Sequence, residues 1–253
     1  MFNPVSVFQD VTIFYFWKMK NVLVLGANSD VAKEAIKLYL KKGYCVTAAS
    51  RNLEQLKELA LQNANLEWVY FDAEDFSSHQ NFYDQLRVKP HIVVYAAGYL
   101  VQNAEAFHDF GRVKRMMAVN YMGAVSILNI ISQDRSNSQL ERIIGLSSLS
   151  GVRGRKSNFM YGSTKSAFTQ YLAGLRQELS PRNVVVNALV IGYIDTKINA
   201  GLALNPALIM QPSYVARFIV NAGSGFVIVP NWKWKIIYWI LKLSPEFLVA
   251  KLP

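Results

Sequence analysis

The chain has 253 residues, 52% of them apolar and 13% aromatic, which is enough for one α/β domain with a sizeable core and excludes a disordered chain. A formal net charge of +10 favours anionic partners: a nucleotide cofactor, a phosphorylated substrate or an anionic membrane surface. Nucleic acid is set aside because no compact Lys/Arg run or nucleic-acid motif accompanies the charge; a lone cysteine, Cys45, and three scattered histidines exclude a disulfide framework and make no recognisable metal site.

Residues 1–18 carry Phe2, Phe8, Phe14, Tyr15, Phe16 and Trp17 but no basic n-region or small-residue cleavage site. That argues against a signal peptide, and the apolar run from Val11 to Trp17 is too short to span a bilayer. This extension reads either as an aromatic surface anchor or as sequence ahead of a native start at Met19.

From there, short Val/Ile/Leu runs alternate with longer helical patterns. Candidate strands are Asn21–Leu25, Tyr44–Ser50, Leu66–Phe71, His91–Tyr95, Arg142–Leu146, Val184–Val190 and Phe226–Val229. They are continuous apolar runs, as expected of strands covered on both faces. Helices are expected over Asp30–Lys41, Leu53–Gln62, Gln80–Leu86, Val113–Ile131, Tyr161–Leu179 and Pro212–Asn221. The alternation predicts a Rossmann-type, doubly wound parallel sheet of about seven strands with helices on both faces. Residues 19–230 form this domain and 231–253 a basic, apolar tail.

The first strand runs into Gly26-Ala27-Asn28-Ser29-Asp30-Val31-Ala32. Such a turn brings backbone N–H groups and a helix N-terminus to a pyrophosphate, with Gly26 turning tightly. Gly26, Asn28, Ser29, Asp30 and Val31 are therefore cofactor candidates, although Asp30 stands where a second glycine is usual and would rather cap the helix. The second strand ends in Ser50-Arg51 with no carboxylate. A guanidinium there pairs with a 2′-phosphate, which favours NADP over NAD. Asp72, after the third strand, is either an acceptor for an adenine amino group or a helix cap.

Further along, Ser148 follows the fifth strand and Tyr161 and Lys165 lie thirteen and seventeen residues beyond it. At i and i+4 the phenol and the ammonium share one helix face. A tyrosine with an ordinary pKa of about 10 is a poor acid–base group near neutrality, and the nearby ammonium is expected to lower it. The Ser148 hydroxyl, at the carboxyl edge of the sheet, would hold a carbonyl oxygen and its developing charge.

This combination resembles the short-chain dehydrogenase/reductase family, from Asn21 to about Val229. The resemblance implies reduction of a ketone or aldehyde by hydride transfer, with Ser148, Tyr161 and Lys165 joined by Asn120, which would hold a helix kink and a proton relay. It implies cofactor contacts at Ala96, Ala97 and Gly98, where an Asn-Asn-Ala-Gly stretch has lost both asparagines. Gly192, Ile194 and Thr196 would meet the nicotinamide, with Ile191 in place of the usual proline. It also implies a homodimer or homotetramer. Binding of NADP without turnover is disfavoured, since both Tyr and Lys are kept.

The segment from Gly192 to Pro212 is apolar (Ile198, Leu202, Leu204, Leu208, Ile209, Met210), which suits a hydrophobic substrate or a lid packed on the core. The tail places Trp232, Trp234, Tyr238 and Trp239 beside Lys233, Lys235 and Lys242. That pattern suits a membrane–water interface or packing against protein. It is similar to the tail of decaprenylphosphoryl-2-keto-pentose reductases, which implies a lipid-linked keto sugar as substrate at the cytoplasmic face of a membrane. The alternative is a soluble reductase of small ketones, acyl chains or steroids.

Overall fold

A computed structural model describes residues 19–61, 63–196 and 205–251. The N-terminal extension, the lid residues Ile198, Leu202 and Leu204 and the last two residues of the tail lie outside the described residues. Seven strands form one sheet: β1 (Asn21–Leu25), β2 (Cys45–Ser50), β3 (Leu66–Tyr70), β4 (Ile92–Tyr95), β5 (Arg142–Ser148), β6 (Val185–Ile191) and β7 (Val227–Ile228). Their order is β3-β2-β1-β4-β5-β6-β7, and every pairing is parallel. Parallel strands need crossovers, and the crossovers put helices over both faces. That is why all five residues of β1 and all four of β4 are buried.

The helices are α1 (Asp30–Lys41), α2 (Glu54–Leu61), α3 (His79–Asp84), α4 (Asn103–His108), α5 (Phe110–Met117), α6 (Gly123–Gln133), α7 (Phe159–Leu179), α8 (Pro212–Val220), α9 (Trp232–Leu243) and α10 (Glu246–Val249). In α1 the buried side chains Val31, Ala32, Ala35, Ile36 and Tyr39 recur at helical spacing and form the apolar stripe that packs on the sheet. In α7 the equivalent stripe is Phe168, Leu172, Leu175 and Leu179.

Most boundaries fall within two residues of the sequence expectation. Two differences matter. The short helix α4 was not expected. The long helix expected over Val113–Ile131 begins at Phe110 and is interrupted by a π segment at Ala118–Met122. A π turn frees a carbonyl from the ordinary ladder; here the Tyr95 hydroxyl donates to the Val119 carbonyl at 2.7 Å. Tyr95, the residue that replaces an asparagine of the family pattern, thus anchors the interruption that carries Asn120.

The chain order reverses between β1 and β4, since β2 and β3 lie on one side of β1 and β4 to β7 on the other. In open parallel sheets the crevice at the carboxyl ends beside such a switch point is where ligands bind.

Candidate active site

A cleft of about 680 Å³ opens at that switch point, within the roughly 300–1,000 Å³ usual for small-molecule and cofactor sites. One wall is the β1–α1 turn. Gly26 has φ +85°, a left-handed conformation that other residues rarely adopt, and a Cβ there would collide with the Ala97 backbone. The turn therefore lies directly against the Ala96–Gly98 stretch after β4. Gly26, Asn28, Ser29, Asp30 and Val31 line the cleft together with Ala96, Ala97 and Gly98. Ser29, not Asp30, is the N-cap of α1, and it makes no side-chain cap bond.

Asn28 donates through Nδ2 to Ser50 Oγ (2.6 Å) and to the Asn52 carbonyl (2.7 Å). Its Oδ1 is buried without a donor. Arg51 lines the cleft but is engaged: its Nη1 lies 3.0 Å from Glu74 Oε2, and Arg115 Nε reaches the same oxygen at 3.0 Å. Nothing at the end of β2 signals this partner, which comes from the loop after β3. Asp72 is not among the cleft-lining residues, and it caps no helix either: its Oδ1 accepts the Glu74 N–H in a turn, while Asp75 stands at the N-cap of the next helical segment.

The opposite wall carries the polar constellation. Ser147 and Ser148 end β5 side by side but point differently. Ser147 Oγ is spent on α7, with Thr169 Oγ1 at 2.6 Å. Ser148 lines the cleft and accepts the Ser150 N–H. Gly162 makes the approach of α7 possible, since a Cβ there would collide with the Ser150 carbonyl. Tyr161 and Lys165 then project from one helix face into the same cleft.

The electrostatics differ from the sequence expectation. Burial pushes the Tyr161 phenol up to about 12, and the contribution that pulls it back is a hydrogen bond with Ser148. Lys165 makes no hydrogen bond with that phenol in this structure. Its Nζ donates to the Leu146 carbonyl at 2.9 Å and stands 5.9 Å from the Tyr161 ring centroid. Burial lowers Lys165 itself to about 8. Burial is the largest cause at each group and disfavours the charged form of both.

Asn120 is fully buried. Its Oδ1 accepts the Tyr99 N–H at 2.8 Å, and its Nδ2 donates to the Tyr99 carbonyl (2.8 Å) and to Thr164 Oγ1 (2.9 Å). It staples the loop after β4 to α7 one residue before Lys165. Thr164 had no signal in the sequence beyond its place inside Tyr161–Lys165.

Gly192, Ile194 and Thr196 line the cleft beyond β6. The tail closes this end. Trp234, Ile237 and Leu241 of α9 line the cleft, and Trp234 Nε1 donates to the Leu208 carbonyl at 2.8 Å. The other face of α9 exposes Trp232, Ile236, Trp239, Ile240 and Leu243. Among the described residues no helix is long and apolar enough to cross a membrane.

Residues 20–206 match the short chain dehydrogenase family. An uncharacterised oxidoreductase of Mycobacterium tuberculosis is 27% identical over 245 residues, covering 92% of this chain and 96% of that protein. An 11-beta-hydroxysteroid dehydrogenase A of Sesamum indicum is 25% identical, covering 90% of this chain and 72% of that protein. Among solved structures, a short chain dehydrogenase from Burkholderia cenocepacia in complex with NADP superimposes with a TM-score of 0.80 at 19% identity, covering 91% of this chain and 95% of that one. With a family match spanning most of its length, a sheet of matching order and a cleft at the switch point, the chain belongs to the short-chain dehydrogenase family and is an oxidoreductase of that type.

Proposed function

We propose that the protein reduces a carbonyl compound with NADPH, using Ser148, Tyr161 and Lys165 as catalytic residues and Asn120 as their positioning residue. The observation that carries this reading is the convergence of the Tyr161 and Ser148 hydroxyls and the buried Lys165 ammonium on one cleft at the sheet switch point. The residues present fit a dinucleotide. Gly26 packs flat against the Ala97 backbone, the α1 N-terminus faces the cleft, and the orphaned Asn28 Oδ1 suits a ribose hydroxyl donor. Gly192, Ile194 and Thr196 would meet the nicotinamide end, and Arg51 would meet a 2′-phosphate; the Burkholderia relative binds NADP.

Bound NADPH supplies the hydride that reaches the carbonyl carbon. Ser148 orients the carbonyl by donating to its oxygen. Tyr161, protonated at neutral pH as any tyrosine is, gives its proton to the same oxygen as that oxygen gains charge. The phenolate so formed would be stabilised by the Lys165 ammonium on the same helix face, a charge pairing that is worth more in the partly buried cleft than in bulk water. Asn120 fixes the helix carrying both groups through Thr164 and holds the π segment through which the proton is replaced.

For the substrate, the reading is a lipid-linked keto sugar taken up at a membrane surface. In its support, α9 lines the cleft with one face and exposes an apolar face with the other, flanked by Lys235 and Lys242. A second reading, a free steroid, is favoured by the similarity to the Sesamum hydroxysteroid dehydrogenase. Consumption of NADPH with lipid-linked keto sugars, free keto sugars and ketosteroids separates them. Tyr161→Phe is expected to lower turnover by about a thousandfold, within the range of general acid catalysis, with NADPH binding retained. Parent turnover in that variant overturns the assignment.

A further inference from the structure

Among the described residues the cleft is lined by Lys33, Arg51, Arg155 and Lys165 but only one carboxylate, Asp30. Three of these cations have an account. Lys33 and Arg51 stand beside the β1–α1 turn and the end of β2, where the nucleotide is placed, and Lys165 is catalytic. Arg155 has none. It lies in the loop between β5 and α7, at the other end of the cleft. Among the described residues its guanidinium makes no hydrogen bond or ion pair, and its Nε is buried without an acceptor.

Its neighbour two residues away is the contrast. Arg153 Nη2 donates to the Ser244 carbonyl at 2.6 Å, and its Nε stands 3.7 Å from Glu246. Arg153 holds the tail through Nη2 although its own Nε is also buried without a hydrogen bond, while among the described residues Arg155, on the cleft wall, has no partner at any of its guanidinium nitrogens. The Arg155 side chain is only half-buried, but a buried Nε with no acceptor is costly, a cost that a ligand oxygen in the cleft would relieve. The loop is held for that purpose. Asn103 Nδ2 donates to the Lys156 carbonyl at 2.9 Å, and Asn158 Nδ2 donates to Ser150 Oγ at 2.8 Å. Both ties lie within three residues of Arg155, so little ordering remains for binding to supply.

We propose that Arg155 is the anion-binding residue of the substrate compartment, so that the carbonyl substrate carries a carboxylate or phosphate oxyanion. The planar fork of a guanidinium suits either group. The surrounding wall is apolar, with Leu149, Trp234 and Leu241 also lining the cleft, so the substrate is an anionic amphiphile and not a small polar acid. This rests on the reading of the cleft as the active site and names the chemistry of its substrate end.

The test is a binding titration that needs no turnover. Quenching of the cleft tryptophan, Trp234, is followed in the NADPH-bound protein with octyl phosphate, octanoate and octanol. The parent should bind at least one anion tenfold or more tighter than octanol, and the better of the two identifies the oxyanion. Arg155→Ala should lose tenfold or more for that anion while octanol binding holds, and Arg155→Lys should recover part of it. Equal affinity of the parent for all three overturns the proposal, as does unchanged anion binding in Arg155→Ala or an equal loss of octanol. Tyr161→Phe is read by turnover and not by this titration. Failure of the catalytic reading would show instead as parent turnover in that variant, so the two failures are distinct.

Discussion

The two ends of the cleft are built in different ways. The nucleotide end is assembled from the carboxyl ends of adjacent strands: Gly26 after β1, Arg51 after β2, and Ala96 to Gly98 after β4. Each piece is placed by the rule that parallel strands present their carboxyl ends to one edge. The substrate end is assembled from segments far apart in the chain, the 149–158 loop, the turn after β6 and the tail helix α9. They meet through contacts such as Arg153 with Ser244 and Trp234 with Leu208. The first kind of wall follows from topology. The second follows from side chains that reach across it.

The residues proposed as catalytic lie between the two ends, and the largest expected effect falls on them. Lys165→Met should reduce turnover by about a hundredfold or more, since it removes the charge that stabilises the phenolate. The same change should stabilise the fold. With Lys165 lowered to about 8 by burial, the folded protein holds a buried cation at an energetic cost below about pH 8. That cost is relieved as pH rises from about 8 toward 10.5, where the unfolded chain binds more protons than the folded one. The parent should therefore gain stability relative to Lys165→Met across that window, a comparison that cancels the buried tyrosines Tyr39, Tyr83, Tyr95, Tyr161 and Tyr171, whose raised pKa values act in the opposite direction. At pH 7 the variant should be more stable by roughly 2 kcal/mol, the burial penalty being partly offset by the lost bond to the Leu146 carbonyl. Denaturant midpoints at pH 7 and pH 10 measure both. A variant less stable than the parent at pH 7 would show that the lysine is a net structural asset and not a cost accepted for catalysis.

The same contrast explains what could be read from the sequence. Continuous apolar runs announce buried parallel strands, so β1 to β7 and their alternation with helices were legible, and with them the edge where Ser148, Tyr161 and Lys165 gather. The helix α4 was not, because its six residues bury only Asn103 and Ala106 and show no apolar period. The π segment was not legible as a local pattern, since it is held from outside by Tyr95. The Lys165–Tyr161 pairing was legible as proximity but not as energy. Spacing along a helix places two groups on one face but does not reveal how deeply both are buried, and here burial decides both pKa directions. Glu74 and Arg155 escaped for a related reason: whether a cation is paired depends on segments that fold against it.

A second expected effect sharpens the comparison at the substrate end. If α9 serves both cleft and membrane, its two faces should separate by mutation. Trp239 and Ile240 are 47% and 55% exposed, so Trp239→Glu with Ile240→Glu should spare the fold. Burying two such side chains in a bilayer interface is worth a few kcal/mol, so co-sedimentation with phosphatidylglycerol vesicles should weaken by about a hundredfold while reduction of a soluble ketone is kept. Unchanged co-sedimentation would leave the exposed face without a membrane role.

The smallest effects belong to the nucleotide end, where Arg51 is shared between a carboxylate already present and the phosphate proposed for it. Arg51→Ala should raise the KM for NADPH about tenfold or more and leave that for NADH nearly unchanged, as the loss of one charge-assisted hydrogen bond requires. Glu74→Gln should act in the opposite direction. Its carboxylate holds both Arg51 and Arg115 at 3.0 Å, but with Arg51 and Arg115 about half exposed, such a pair is worth at most about 1 kcal/mol. Releasing it should lower the KM for NADPH by about twofold to fivefold, most clearly at low ionic strength where the competing ion pair is least screened. The reverse outcome, a weaker affinity for NADPH in Glu74→Gln, would mean that the glutamate orients Arg51 toward the phosphate. It would then count as part of the nucleotide wall and not as a rival for it.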